Sequence, residues 1–142
     1  MKIKDIMTRK VIGIRDYETV DVAARTLEHY NIGALPVLGT GGVVCGMVTD
    51  RDLVTRCVAA NRPPEKTTVG QIMSGSLQYV TPETDVAIAA AIMGKAKVRR
   101  LPVMENGKLC GMVSLKDLAI REESIMDAAD ALADVSSSET WA

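Results

Sequence analysis

Gly46-Met47-Val48-Thr49-Asp50-Arg51-Asp52-Leu53 returns later in the chain as Gly111-Met112-Val113-Ser114-Leu115-Lys116-Asp117-Leu118. Outward from this pair the likeness continues. Cys45 and Cys110 precede the glycines, and Arg56 and Arg121 follow the aspartates. Upstream, Leu35-Pro36-Val37 matches Leu101-Pro102-Val103, Ala23-Ala24 matches Ala89-Ala90, Val20 matches Val86, and Ile6-Met7 matches Ile72-Met73. The offset holds at about sixty-six residues from Ile3 to Leu38, and one residue is lost in the turn that follows. A period this long, present only twice, excludes a solenoid. It gives two copies of one small unit, each too small to bury a secure core alone. The two are therefore expected to pair, with function in the cleft between them.

Each copy carries the same local signals. A short apolar segment (Ile3 to Met7; Val69 to Met73) is followed by an extended stretch (Val11 to Ile14; Leu77 to Val80). Val20, Ala23, Ala24 and Leu27 then fall on one face of a helix, as do Val86, Ala89, Ala90 and Met93, with Thr19 and Asp85 placed as N-caps. Strands over Ala34 to Leu38 and Arg100 to Met104 lead through the turns Gly39-Thr40-Gly41-Gly42 and Glu105-Asn106-Gly107-Lys108. The returning strands, Val43 to Thr49 and Leu109 to Ser114, enter second helices near Asp50 and Leu115. The fold class is α/β (α+β), with two β-α-β-β-α repeats packed as a pseudo-two-fold pair. The first repeat spans 1–60, a proline-stiffened linker 61–67 and the second repeat 68–122. Residues 123–142 form an acidic C-terminal helix, apolar through Ile125, Ala128, Ala129, Leu132 and Val135, with a frayed tail from Ser136 to Thr140.

Composition narrows the function. The net charge of −1 and 3% aromatic content, with no Phe, argue against nucleic acid as the main ligand. No apolar run is long enough for a membrane span. Cys45, Cys57 and Cys110 lack C-x-x-C or metal-ligand spacing and read as small core residues of a cytoplasmic protein. His29, the only histidine, has no partner for catalysis and reads as a solvated helix residue. With no P-loop, G-x-G-x-x-G or metal cluster, the chain is not expected to be an enzyme.

The chemistry concentrates where the strands meet the second helices. Thr49 and Ser114 each end a strand, and Asp52 and Asp117 lie three residues on. Hydroxyl and carboxylate one turn apart can grip the phosphate and the cis-diol of a nucleotide, since an ionised Asp accepts from two adjacent hydroxyls. The same spacing is also a helix capping box, and both readings stand on sequence alone. Arg99 and Arg100 flank the second proline strand, where the first copy has Gly33 and Ala34. They serve either to solvate a surface or to bind phosphate. The two clefts are chemically unequal.

Asp5-Ile6-Met7, Ile32-Gly33-Ala34-Leu35-Pro36-Val37, the Gly46–Leu53 stretch and their counterparts resemble the CBS-domain family, in its stand-alone tandem form, the Bateman module. The resemblance covers Ile3 to Arg121. It implies adenosine ligands (AMP, ADP, ATP or S-adenosylmethionine) bound as regulatory ligands, with no cofactor required, and a homodimer. It further implies that Asp52 and Asp117 take the ribose hydroxyls and that Thr49 and Ser114 contact phosphate. Arg99, Arg100, Arg51 and Lys116 stand where relatives carry phosphate-binding cations. Backbone from Thr8 to Val11 and from Ser74 to Leu77 would border the base. A ligand sensor is the leading expectation. The alternative is a structural or protein-interaction module with vestigial clefts.

Overall fold

Ile3 and Val69, near the starts of the two repeats, are wholly buried, but not among the residues of their own repeats. In the computed structural model, which describes residues 1–121 and 124–137, the chain forms two compact units. One is Ile12–Leu77, the Asp52 unit. The other, the Asp117 unit, joins Met1–Val11 to Gln78–Ala142. The compact units therefore cut across the expected 1–60 and 68–122 boundaries, because each takes its opening segment from the other repeat. Apolar burial explains the exchange. Val69 and Ile72 fill the core of Ile14, Val20, Leu27, Leu35 and Val48, while Ile3 and Ile6 fill that of Val86, Met93, Leu101 and Val113. Each such side chain contributes roughly 1.5–3 kcal/mol when fully buried.

Residues 61–67, expected as a stiffened linker between the repeats, are docked. Thr67 is buried, its hydroxyl donates to Pro63 O at 2.8 Å, and its carbonyl accepts from Val20 N at 2.8 Å. The segment thus docks onto the start of the first helix of the Asp52 unit.

In the Asp52 unit, β1 (Ile14–Arg15) pairs in parallel with β2 (Ala34–Leu38), which pairs antiparallel with β3 (Val44–Thr49). Helix α1 (Val20–Tyr30) buries Val20, Ala23 and Leu27 against the sheet. Thr19 stands at the N-cap of α1 as expected, but its hydroxyl donates to the Asp21 carboxylate and makes no cap bond. Helix α2 (Asp50–Leu53) continues into a π turn over Val54–Val58, and α3 (Val69–Ile72) closes the unit.

The Asp117 unit repeats this order with α4 (Val86–Ala96), β4 (Arg100–Glu105), β5 (Lys108–Ser114) and α5 (Leu115–Ala119). Its Ile3–Asp5 segment is a 3-10 turn. Asp85 does cap α4, accepting from Ala87 N at 2.9 Å. The strand expected over Leu77 to Val80 shrinks to a single parallel bridge between Val80 and Val103. Asn106 and Gly107, at φ +54° and +76°, make the two-residue turn between β4 and β5.

Helix α6 (Ile125–Ser136) has no counterpart in the Asp52 unit and lies on α4 and α5. Its buried face is Ala128, Ala131 and Val135, whereas Ile125 and Leu132, expected to face inward, are 51% and 45% exposed. Small residues win because the two helices approach closely: a Cβ on Gly94 of α4 would sit 2.8 Å from Asp134 Oδ2 and 3.2 Å from Asp134 Cβ. Lys97 Nζ, beyond the end of α4, donates to Asp134 O at 2.7 Å. The second cover explains why α4 is apolar nearly all round while α1 is amphipathic. Ala90 and Gly94 are buried, but their equivalents Ala24 and Glu28 are exposed. The tail expected to fray from Ser136 starts later: Ser136 is the last residue of the helix and Ser137 its C-cap, and the rest of that tail lies outside the described residues. No helix among them is long and apolar enough to cross a membrane.

Candidate functional site

The ends of β3 and β5 place one hydroxyl and one carboxylate in each unit. Thr49 is extended (φ −115°, ψ 163°) and Ser114 nearly identical (φ −119°, ψ 161°), so both serve as N-caps. Asp52 N donates to Thr49 Oγ1 at 3.1 Å, and Thr49 N donates back to Asp52 Oδ2 at 2.9 Å. In the other unit, Asp117 N donates to Ser114 Oγ at 3.2 Å and Ser114 N to Asp117 Oδ2 at 2.8 Å. The capping box is therefore formed in both copies. It does not exclude ligand binding. Each box uses one carboxylate oxygen and one hydroxyl lone pair, which leaves Oδ1 to accept and the hydroxyl proton to donate. The cap holds the carboxylate in place.

The glycines preceding these strand ends admit a second chain closely. Ser74 and Met47 exchange backbone hydrogen bonds at 2.9 and 3.1 Å, and Thr8 and Met112 do so at 2.8 and 2.9 Å. A Cβ on Gly46 would lie 2.7 Å from Ser74 O, and one on Gly111 2.9 Å from Thr8 O. Any side chain at either position would displace the strap. The exchanged segments thus join each strand two residues before its end, Ser74 at Met47 and Thr8 at Met112. Val11 and Leu77, half-buried, end the straps where the chain leaves each unit.

The strand entries meet the same points. Asp50 N donates to Gly33 O at 3.0 Å, and Leu115 N donates to Arg99 O at 2.8 Å. In the ladders, Ala34 stands opposite Thr49 and Arg100 opposite Ser114. Arg99 and Arg100 therefore flank the helix start of their own unit. Arg51 and Lys116 are exposed in the first turns of α2 and α5.

Arg56, which the repeat pattern pairs with Arg121 without giving it a role, joins the Asp52 site. Its Nη1 donates to Ile72 O at 2.9 Å and to Ser74 Oγ at 3.1 Å, while Nε stands 3.6 Å from Asp52 Oδ1. The signal for it was the four-residue spacing from Asp52, which puts acid and base on one helix face. Arg121 makes none of these contacts, because α5 stops at Ala119 where its counterpart continues through the π turn.

Cys45 and Cys110 lie beneath the straps, their thiols donating to Val37 O at 3.5 Å and Val103 O at 3.3 Å. Burial pushes both thiols above their ordinary range, helped by the charges of Asp16 and Glu105 respectively. Cys45, Cys57 and Cys110 are all free. Among the described residues, no three His, Cys, Asp or Glu side chains come together in a way that could hold a metal ion.

The CBS domain model matches the chain twice, at residues 3–59 and 69–124. The CBS domain-containing protein YhcV of Bacillus subtilis is 36% identical over 134 residues, covering 94% of each chain. Among solved structures, Hypoxic Response Protein I, described with two coordinated zinc ions, is 33% identical at a TM-score of 0.79, over 84% of this chain and 97% of that one. The CBS domain pair of protein MJ0100, in complex with 5-methylthioadenosine and S-adenosyl-L-methionine, is 25% identical at a TM-score of 0.75, over 84% of this chain and 93% of that one. With the duplicated strand-end boxes and two matches that span most of its length, the chain belongs to the CBS-domain family as a tandem CBS pair.

Proposed function

We propose that this protein is a non-catalytic, cytoplasmic sensor of adenosine-containing ligands, with one binding site at the strand-end box of each unit. The observation that carries the reading is the spare oxygen. In both units the capping box fixes the aspartate through Oδ2 and leaves Oδ1 outside the box, in the Asp52 unit with the Arg56 Nε 3.6 Å away. A cis-diol can bond that oxygen, the Thr49 or Ser114 hydroxyl can donate to a phosphate or to another ligand oxygen, and the straps beginning at Thr8 and Ser74 can border a flat base. The MJ0100 pair, which carries two adenosine derivatives, supports this class of ligand, with AMP, ADP, ATP and S-adenosylmethionine as the candidates. Arg51, Lys116, Arg99 and Arg100 are the phosphate-facing cations in this reading. A homodimer is the working assembly. Such a sensor signals only through differential affinity of the ligand for two states of the protein.

Titration calorimetry of the full chain with AMP, ATP and S-adenosylmethionine tests the proposal. Saturable binding of at least one supports it, and no heat from any of them at millimolar concentration removes it.

One observation favours a second reading, an interaction module. Ile120, Ile125, Met126 and Leu132 are exposed at 68%, 51%, 73% and 45% on and beside α6, an element that lies beyond both family matches. Charged substitutions there would alter partner capture without touching ligand binding.

A further inference from the structure

The Asp52 unit lacks cations at its strand entry, where Gly33 and Ala34 replace the arginines of the other copy. It has a cation at the site by another route. Arg56 lies one helical turn beyond Asp52 and reaches back to it, with Nε 3.6 Å from Oδ1. Its Nη1 is bound on both sides, to Ile72 O and Ser74 Oγ, so the guanidinium plane is fixed. Two bonds of the Met47–Ser74 bridge already secure that strap, and Thr8–Met112 secures its twin without any arginine. Arg56 is therefore not required to hold the strap. Among the described residues, its Nη2 has no protein acceptor, and the side chain is 47% exposed.

Charge decides what this arrangement accepts. A lone carboxylate holding a diol repels a phosphate on the same sugar, whereas a carboxylate paired with a fixed guanidinium does not. Interactions of unit charges separated by several ångströms are substantial at a half-buried site. Nη2 adds donors suited to a phosphate oxygen. We infer that Arg56 is a specificity-determining residue that makes the Asp52 site select anionic, phosphate-bearing adenosine ligands over neutral ones. This inference rests on the proposal that Asp52 takes the ribose diol. It also means that the repeats, alike in sequence at Arg56 and Arg121, have separated in function through the length of one helix.

The test uses the full chain carrying Asp117→Asn, so that binding reports the Asp52 site, with AMP and adenosine compared by calorimetry. Adding Arg56→Gln should weaken AMP at least tenfold and change adenosine less than threefold, with Arg56→Lys in between. Equal losses for both ligands would make Arg56 a mere support for the site, and no change in either would leave it a surface residue. Each result overturns the inference. If adenosine binding in this background is absent, or survives Asp52→Asn unchanged, the diol reading itself has failed and the inference falls with it. Native circular dichroism is required of each variant.

Discussion

Ser114 and Asp117 each accept a hydrogen bond from the other's backbone, and Asp117 keeps Oδ1 outside the exchange, with no protein partner among the described residues. Stability and ligand affinity should therefore be separable at this pair. Ser114→Ala removes the acceptor for Asp117 N and should cost about 1 kcal/mol of stability. Asp117→Asn keeps an amide oxygen for the Ser114 N–H but loses the charged acceptor. It should retain a native circular dichroism spectrum and lower adenosine-ligand affinity at that site at least tenfold, roughly 1.4 kcal/mol. Unchanged affinity with reduced thermal stability would assign Asp117 to capping alone.

Arg99 and Arg100 should set the phosphate preference of the Asp117 site. With the Asp52 site disabled by Asp52→Asn, replacing both arginines with alanine should erase most of the preference for AMP over adenosine. Each charge-assisted contact is worth about 1.5–3 kcal/mol. The preference in the parent should weaken as salt rises. A double variant that still discriminates as well as its parent would move the phosphate contact to Ser114 and Lys116.

The close packing of α6 on α4 gives a prediction independent of any ligand. Gly94→Leu places a branched side chain where a Cβ alone would already meet Asp134. The helix should be forced off its seat, with a loss of about 1–3 kcal/mol in thermal or urea unfolding and earlier proteolytic cleavage between residues 124 and 137. Full stability in this variant would contradict the packing described.

The thiols of Cys45 and Cys110 should be poor nucleophiles. Burial raises both above the ordinary range, and only the thiolate reacts, so a smaller fraction is ionised at any pH below that range. Alkylation by iodoacetamide should run slower than for glutathione at pH 8 and accelerate on raising the pH or adding urea. Rapid labelling of the native protein at pH 8 would show the strap above them to be open.

Much of this architecture was legible in the chain because the repeat doubles every signal. β2 and the starts of α2 and α5 fall where the pattern puts them, since turn residues and hydroxyl caps punctuate them locally. What escaped has a common cause in tertiary choice. Ile3, Ile6, Val69 and Ile72 announce burial but not which core receives them, so the exchange of opening segments is invisible in the pattern. Pro63 and Pro64 mark residues 61–67 as a stiffened connection, but not that Thr67 is buried within it. On α6, hydropathy favoured Ile125 and Leu132, but the helix seats Ala128, Ala131 and Val135 inward, with Asp134 close against Gly94 of α4. Thr49 and Asp52 were ambiguous between cap and site because the same atoms serve both uses, and only the geometry of Oδ1 shows them compatible. Arg56 was visible as a repeat match, while its reach to Ser74 depends on a π turn that no spacing announces.

The central claim, that Asp52 and Asp117 are the ligand-holding groups of the two units, meets its most direct test in one calorimetric comparison. The full chain, Asp52→Asn, Asp117→Asn and the double variant are titrated under identical conditions with the adenosine ligand the parent binds best. The account predicts that each single variant loses one site and that the double variant gives no saturable heat while keeping its fold. Binding by the double variant with the parent's affinity and stoichiometry would contradict it.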